Sequence, residues 1–283
     1  MILLSILFGS VACANSSLVN RQLQSASVIQ QVAVGLVSPI HVVQSPRAGK
    51  VLFLERIDGG QIGTTHAQEF DPWTGESRAL NLVTDTFCSA GFISPDSRGR
   101  VFNVGGFTGP ALEAVRVFTP CGAPGIFGTC DWYENENIAA LKVPRWYPSA
   151  LPLANGRVAI IGGSTDAVGM PPPAPPGLNQ PNMEFLPPYV GEGVIELQLL
   201  VETDTYNLYP IAHVLPNGLV FLLAGERSQL LDPVTFNPLL ELPLLQGKRT
   251  YPFAGSSVLL TLRPANNYLA EVLVCGGIIV TQN

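Results

Sequence analysis

The stretch TDTFCSAGFISPDSRGRVFNVGG, from Thr84 to Gly106, decides the fold. It runs from a cysteine through a turn that contains Pro and Gly into an apolar strand, which ends in a pair of glycines. The same outline recurs downstream with tyrosine in place of the cysteine and Ala-Gly closing the third copy. These segments are RWYPSALPLANGRVAIIGG (145–163), NLYPIAHVLPNGLVFLLAG (207–225) and RTYPFAGSSVLLTLRPANNYLAEVLVCGG (249–277). They are four copies of one unit.

The spacing of these copies predicts the architecture. The glycine landmarks Gly105, Gly162, Gly225 and Gly276 follow one another at intervals of 57, 63 and 51 residues. This is close to the period of about 50 residues that is typical of a kelch-type β-propeller blade with four antiparallel strands. One blade cannot bury both faces of its own sheet, so successive blades stack around an axis. The sequence therefore predicts an all-β, kelch-type propeller.

Each copy presents its first strand to the same axis in this architecture. The residues that occupy the first position of the four copies are Cys88, Tyr147, Tyr209 and Tyr251. We therefore expect these four side chains near one end of a central channel.

Three further segments fit the same blade pattern. Residues 32–56 read as an earlier, degenerate copy with a turn at 46–50, which places His41 near the axial end. The segments EFDPWTGESRALN (69–81) and QLLDPVTFNPLLE (229–241) each read as two strands around a turn. Such hairpins are typical of the outer half of a blade.

Composition excludes several classes of function. The chain of 283 residues is 47% hydrophobic and only 13% charged, with 25 prolines and 28 glycines, which suits short buried strands joined by tight turns. A net charge of -6 provides no basic surface for phosphates, so we expect no nucleic-acid partner. The sequence has no GxSxG, HExxH, GxGxxG or Walker motif, which disfavours hydrolase, zinc and nucleotide chemistry.

The first fourteen residues, MILLSILFGSVACA, are uncharged and end in small residues. They are shorter than the roughly 20 residues that a membrane-spanning helix needs. We interpret 1–14 as a secretory signal peptide and 15–283 as the folded part, which predicts a secreted, extracellular protein without a membrane span. The alternative is a buried N-terminal strand.

Four cysteines remain after such a cleavage. Cys121 and Cys130 bracket the short loop CGAPGIFGTC and are predicted to form a disulfide in an oxidising compartment. Cys88 and Cys275 either pair with each other or are buried as small hydrophobic residues.

A Pro-rich segment lies between Gly163 and Val194 and is interpreted as an insertion. Its MPPPAPPG run (170–177) favours polyproline II. The loop 170–188 is either a spacer on the rim or a segment that folds over the channel mouth and lines a substrate entrance.

Several motifs in this order resemble a known family. TDTFCSAG, RWYPS, the loop NMEFLPP, NLYP and RTYP look like the N-terminal propeller of glyoxal oxidase, a copper radical oxidase related to galactose oxidase. The resemblance covers the chain from about Val32 to Gly277. It implies a seven-bladed propeller followed by a β-sandwich, of which this chain holds about five blades. The propeller is then expected to be unclosed, with an exposed edge strand.

The resemblance also implies a redox centre. In the family a Cys and a Tyr form a thioether, and the modified Tyr binds copper and stores a radical; by motif these are Cys88 and Tyr147. Oxidising a small aldehyde or alcohol removes two electrons and Cu(II) accepts one, so a second redox group is needed while O2 is reduced to hydrogen peroxide. The alternative is an inert core thiol and an ordinary strand aromatic. Trp146, next to Tyr147 on a strand, is expected on the opposite face, in the core.

This chain departs from the family pattern in its copper ligands. The family's Tyr-His pair and late His are absent, and His41, His66 and His213 match no ligand position. In the family pattern Cys275 pairs with a cysteine beyond the last residue given. We therefore expect an N-terminal fragment of a secreted copper radical oxidase, inactive as it stands. The alternatives are a noncatalytic secreted binding module, for glycans or a partner protein, and a truncated product without function.

Overall fold

The fold is almost entirely β. A computed structural model describes residues 5–7, 33–57, 65–137, 139–165 and 176–278. Among these residues there is one α-helix, α1 (Gln198–Glu202), together with two single 3-10 turns, Gly109–Leu112 and Pro264–Asn266. The remaining regular elements are strands, as the repeat pattern predicts.

The strands form successive antiparallel sheets, each of which we call a blade. Blade 1 contains β2 (His41–Ser45), β3 (Lys50–Leu54), β4 (Ala67–Asp71) and β5 (Glu76–Leu80). Blade 2 contains β6 (Ala90–Ile93), β7 (Val101–Val104), β8 (Val115–Phe118) and β11 (Trp132–Glu134), with the small hairpin of β9 (Gly122–Ala123) and β10 (Ile126–Phe127) between the last two.

The later blades repeat this order. Blade 3 contains β12 (Ser149–Pro152), β13 (Val158–Ile161), β14 (Asn182–Leu186) and β15 (Ile195–Glu196). Blade 4 contains β16 (Ile211–Val214), β17 (Val220–Ala224), β18 (Arg227–Leu231) and β19 (Pro238–Glu241). Blade 5 pairs β20 (Gly255–Leu259) with β21 (Glu271–Gly276), and β1 (Ser5–Leu7) lies parallel to β21.

The first strands of consecutive blades contact one another. These contacts join β2 to β6, β6 to β12, β12 to β16 and β16 to β20. Each blade therefore turns its first strand toward a shared axis. The prediction of an all-β, propeller-like fold is confirmed, with four four-stranded blades and a smaller fifth sheet among the described residues.

The hydrophobic core lies between neighbouring blades, as β13 shows. Val158 and Ile160 of this strand pack toward blade 2, whereas Ala159 and Ile161 pack toward blade 4. All four residues are buried, because alternate side chains of a strand point to opposite faces and both faces are covered. Burying a large aliphatic side chain contributes about 1.5–3 kcal/mol. The continuous apolar runs VAII and VFLLA are thus required by the stacking.

Part of the predicted Pro-rich insertion is wrong. NMEFL is not a loop but strand β14, which pairs with β13 and buries Met183 and Phe185. The prolines on both sides of this short run hid it from the sequence pattern. The MPPPAP part of the run lies outside the described residues, so its role as spacer or entrance stays a prediction.

The N-terminal prediction remains open. Ser5–Leu7 form a strand that pairs with Glu271–Leu273, so the outer edge of β21 is covered over these residues and not exposed as expected. The other residues of 1–14 lie outside the described residues. None of the helices described is long and apolar enough to cross a bilayer. The signal peptide, the domain boundary at 14/15 and secretion stay predictions.

The glycine pairs occupy crossings between blades. Gly105 has φ +70, and a Cβ on it would lie 2.3 Å from the Arg145 carbonyl oxygen. Gly106 has φ +145, and its Cβ would lie 2.1 Å from the Asp85 carbonyl oxygen. Only glycine combines a positive φ with so close a backbone approach. Gly105 therefore leaves room for the segment that leads into blade 3, and Gly106 leaves room for the segment that leads into blade 2.

Buried arginines bind the carbonyl groups at these crossings. Arg116 Nη1 donates to Gly105 O at 2.6 Å, and Arg145 Nη1 donates to Gly162 O at 2.6 Å. Arg145 Nε also donates to Glu184 at 2.9 Å, so its charge is paired in the interior. Both guanidinium groups are fully buried. They satisfy carbonyl groups that the strand ladders leave unpaired.

A buried ion pair docks the disulfide loop of blade 2 onto blade 1. Cys121 and Cys130 are joined, with their Cα atoms 5.9 Å apart. Between them the Ala123 carbonyl oxygen accepts a hydrogen bond from Lys50 Nζ at 2.8 Å. Lys50 Nζ lies 2.6 Å from Asp71 Oδ2, and both side chains are fully buried. The hydrogen bond from Lys50 lowers the pKa of Asp71 to about 2.

We predict that Gly105→Ala destabilises the chain by about 3 kcal/mol, because left-handed strain and a backbone clash add. Two matched variants separate these causes. Gly156→Ala has a positive φ but open space, so it costs about 1 kcal/mol. Gly193→Ala has neither constraint and changes stability by less than about 0.5 kcal/mol. Urea unfolding measures the free energy of unfolding of all three variants. Equal losses of stability for Gly105→Ala and Gly156→Ala would contradict the close backbone contact at Gly105.

We also predict that Asp71→Asn lowers stability at pH 7 and that its deficit shrinks as the pH falls. Asp71 has an unfolded pKa of about 3.8 and a folded pKa of about 2. Its contribution is thus complete above the unfolded value and is lost as the pH falls through the folded one. Urea midpoints of both chains between pH 2 and 7 test this. The exposed Glu136→Gln is the control, and a deficit independent of pH would refute the ion pair.

Candidate functional site

The three residues Cys88, Tyr147 and Tyr209 share an unusual backbone conformation. Their φ values are +58, +61 and +47, and each lies just before the first strand of its blade. Residues other than glycine rarely adopt this left-handed region, which costs about 1–3 kcal/mol for each residue. Such strain recurring at one position of a repeat points to a constrained, functional end of the propeller.

Backbone hydrogen bonds bring these positions together. Tyr147 N donates to Cys88 O at 2.9 Å, and Tyr209 N donates to Tyr147 O at 3.0 Å. Tyr251 N donates to Leu208 O at 3.1 Å. The bonds connect blades 2, 3, 4 and 5 in sequence, so the four predicted axial residues do meet at one end.

The three tyrosine rings form a compact cluster. Tyr147 and Tyr251 are stacked with their centroids 4.4 Å apart, and Tyr209 stands edge-on to Tyr147 at 5.1 Å. The Tyr147 hydroxyl donates to the Tyr251 hydroxyl at 3.1 Å, and the Tyr209 hydroxyl donates to the Ser89 carbonyl oxygen at 3.1 Å. The sequence analysis left Tyr209 and Tyr251 out of the site. Their shared position in the repeat was the signal that could have included them.

The Cys88 thiol faces this cluster. It packs against the buried cluster of Trp146, Tyr147 and Leu208, which Tyr209 and Tyr251 also contact. Cys88 is a free thiol, and so is Cys275, so the proposed pairing of these two cysteines with each other is wrong. The structure thus brings together the two residues, Cys88 and Tyr147, that the sequence analysis singled out.

Burial determines the protonation of these groups. It raises the pKa of the Cys88 thiol, and contacts with the neighbouring hydroxyl groups only partly offset this. It also raises the pKa of Tyr147, with further contributions from the Tyr251 hydroxyl and from Cys88, and the pKa of Tyr209. At neutral pH the site therefore holds a neutral thiol and neutral phenols. Such groups are poor nucleophiles and bases, which disfavours hydrolytic or acid-base catalysis.

Trp146 is buried in the core as predicted, but the prediction that it faces away from Tyr147 is wrong. Its ring centroid lies 4.2 Å from that of Tyr147 and 5.5 Å from that of Phe107, in the same buried cluster. The alternation of side chains along a strand fails here because Tyr147 is in the left-handed region and not in the extended one. Trp146 therefore belongs to the surroundings of the Cys88 thiol.

The histidines do not complete a metal site. His41 Nε2 lies 2.9 Å from Ser89 Oγ, and His213 Nε2 lies 2.8 Å from Ser257 Oγ. His66 is buried in blade 1. Within the described ranges no three His, Cys, Asp or Glu side chains converge as metal ligands. Cu(II) favours a tetragonal set that includes nitrogen ligands, so the described residues, which offer phenols and one thiol, do not fit a copper site by themselves.

Comparisons with known proteins identify the family to which the chain is similar. The model of the family described as Glyoxal oxidase N-terminus matches residues 61–282. A WSC domain-containing protein of Arthroderma benhamiae is 36% identical over 241 residues, which are 81% of this chain and 25% of that protein. Aldehyde oxidase GLOX of Vitis pseudoreticulata is 35% identical over 216 residues, which are 75% of this chain and 37% of that protein. The chain spans well under half the length of these relatives.

A solved structure also aligns with the chain. It is described as a fungal alcohol oxidase in complex with copper, and it covers 77% of this chain and 68% of its own at 14% identity and a TM-score of 0.36. A TM-score this low carries no conclusion about this chain.

We predict that Tyr147 does not ionise in the native chain at about pH 10, where an unperturbed phenol titrates, because burial raises its pKa. Tyr147→Phe should leave the native ultraviolet titration unchanged up to that pH. In denaturant, where the phenol is solvated, the same variant should lose one titrating group. Loss of a group near pH 10 in the native titration would contradict the burial of this phenol. Since only the unfolded chain ionises it there, native stability falls as the pH rises above about 10.

Proposed function

The chain belongs to the glyoxal oxidase N-terminal family, and from this we propose that it carries the cysteine and tyrosine of the radical centre of a copper radical oxidase. The proposal assigns the redox roles to Cys88 and Tyr147. The complete protein would oxidise a small aldehyde or alcohol and reduce O2 to hydrogen peroxide. The Vitis relative is named an aldehyde oxidase, which supports this class of substrate.

The observation that carries the proposal is the packing of Cys88 against the buried cluster that contains Tyr147. The two residues come from different blades, and both have a left-handed backbone. This proximity would permit a bond between the sulfur and a ring carbon of the phenol. Its formation would remove the thiol hydrogen and one ring hydrogen, and these two hydrogens with their two electrons would reduce O2 to hydrogen peroxide.

The chemistry of a thioether-linked phenol fits an oxidase. A sulfur substituent makes the phenol easier to oxidise and spreads the unpaired spin, so the pair can hold one of the two electrons that substrate oxidation removes. The surrounding rings of Tyr251, Tyr209 and Trp146 exclude water from it. Copper, with Tyr147 as its ligand from this chain, is proposed for the complete protein only, because the described residues lack the nitrogen ligands.

We also propose that the protein is secreted. The uncharged apolar residues 1–14 support export, and the joined Cys121 and Cys130 suit an oxidising compartment. A noncatalytic secreted binding module is the second candidate. The lack of converging metal ligands among the described residues favours it.

We predict that the messenger RNA reads on past Asn283 into further blades with a Tyr-His pair and a late histidine. The product of that complete frame, loaded with copper, should release hydrogen peroxide with a small aldehyde, while residues 1–283 alone should release none. Cys88→Ser and Tyr147→Phe should each lower the rate at least about a thousandfold, since residues of one redox unit act together.

A conservative change outside the cluster serves as the control. Tyr268→Phe changes an exposed phenol, so it should retain full activity. A stop codon confirmed directly after Asn283 would favour the binding module. Full activity of Cys88→Ser in the complete protein would exclude the redox assignment.

A further inference from the structure

We propose that His41 is a positioning residue that holds the turn carrying Cys88 in place against Tyr147. This inference rests on the proposed function for its purpose, although the geometry that supports it is independent of copper. His41 lies on the first strand of blade 1, and Cys88 precedes the first strand of blade 2. The residue thus acts across a blade boundary.

The turn itself is tight and strained. Ser89 N donates to Thr86 O at 3.1 Å, which closes a four-residue turn with Cys88 at its third position and φ +58. A turn of this kind keeps its conformation only if the surrounding structure fixes both of its ends, because the left-handed residue relaxes otherwise.

His41 contacts both ends of that turn through one nitrogen. Its Nε2 lies 3.0 Å from the Thr86 carbonyl oxygen and 2.9 Å from Ser89 Oγ. A carbonyl oxygen can only accept, so the hydrogen in this arrangement is on Nε2 and points between the two acceptors. Burial lowers the pKa of His41, with a contribution from the nearby Arg116, and this keeps the imidazole neutral at pH 7.

Ser89 is fixed from a second direction as well. Asn103 Nδ2 donates to Ser89 Oγ at 2.7 Å, and Arg116 Nη1 donates to Asn103 Oδ1 at 2.8 Å. Ser89, Asn103 and Arg116 are all buried. Since the Ser89 carbonyl oxygen also accepts from the Tyr209 hydroxyl, a shift of Ser89 would move the thiol and one phenol together.

The chain offers a matched control for His41. His213 occupies the first strand of blade 4, and its Nε2 forms a histidine to serine contact of 2.8 Å with Ser257 of blade 5. Removing it disturbs a blade boundary of the same kind but leaves the Cys88 turn untouched.

The test is native alkylation of residues 1–283 with iodoacetamide at pH 8, read at Cys88 by peptide mass, with Cys275 as internal reference. His41→Ala should accelerate the reaction at Cys88 about tenfold, the effect of losing one or two hydrogen bonds that oppose local opening. His41→Gln keeps an N–H donor at a similar distance from the backbone. Its alkylation rate at Cys88 should therefore stay close to that of the unmodified chain. His213→Ala should leave the rate at Cys88 unchanged.

Two outcomes overturn the proposal: a rate for His41→Ala within about twofold of the unmodified chain, or equal acceleration by His213→Ala. If His41→Ala also accelerates the alkylation of Cys275, the substitution has loosened the whole fold. The variant Ser89→Ala then provides the test. It should raise the rate at Cys88 alone by about threefold, and no change would refute the role of this contact. Should alkylation respond while the copper-loaded complete protein forms no thioether, the positioning role stands and the proposed function fails.

Discussion

Close backbone contact between successive blades at their axial ends determines where every residue of the candidate site lies. The segment that enters blade 3 passes the glycine pair at the end of β7 so closely that any side chain there would overlap the Arg145 carbonyl group. Two residues later Tyr147 donates its backbone N–H to Cys88. The crossing therefore fixes the register between two blades, and the register places the phenol beside the thiol.

The same constraint explains the strained backbone of the site. A residue whose N–H bonds to the preceding blade and whose side chain turns toward the axis cannot continue the extended conformation of the strand that follows. Cys88, Tyr147 and Tyr209 adopt positive φ values instead. The buried Arg116 and Arg145 donate hydrogen bonds to the carbonyl groups at the crossings. These nearby hydrogen bonds offset part of the free-energy cost of the strained backbone.

The repeat made much of this arrangement predictable. Glycine spacing located the blades, continuous apolar runs located β13 and β17, and the shared first position brought Cys88 and the tyrosines to one end. Prediction from sequence failed where the local backbone conformation breaks the alternation of side chains along a strand or where prolines obscure a strand. Trp146 was assigned to the wrong face because left-handed backbone at Tyr147 is invisible in a strand pattern, and β14 was missed between prolines. Lys50 and Asp71 of blade 1 form a buried ion pair, and Lys50 also donates to the Ala123 carbonyl oxygen of blade 2, a contact that no motif predicts.

The half-buried Cys88 thiol and the buried Tyr147 phenol pack into one cluster, and both residues have a left-handed backbone. The proposed thioether requires these two side chains to lie in contact. The measurement that tests this most directly is the separation of Cys88 Sγ from the Tyr147 ring in a crystal structure of the chain. Our account predicts van der Waals contact, within about 4 Å, or a covalent bond. Side chains that point into different cavities, with another residue between them, would contradict it.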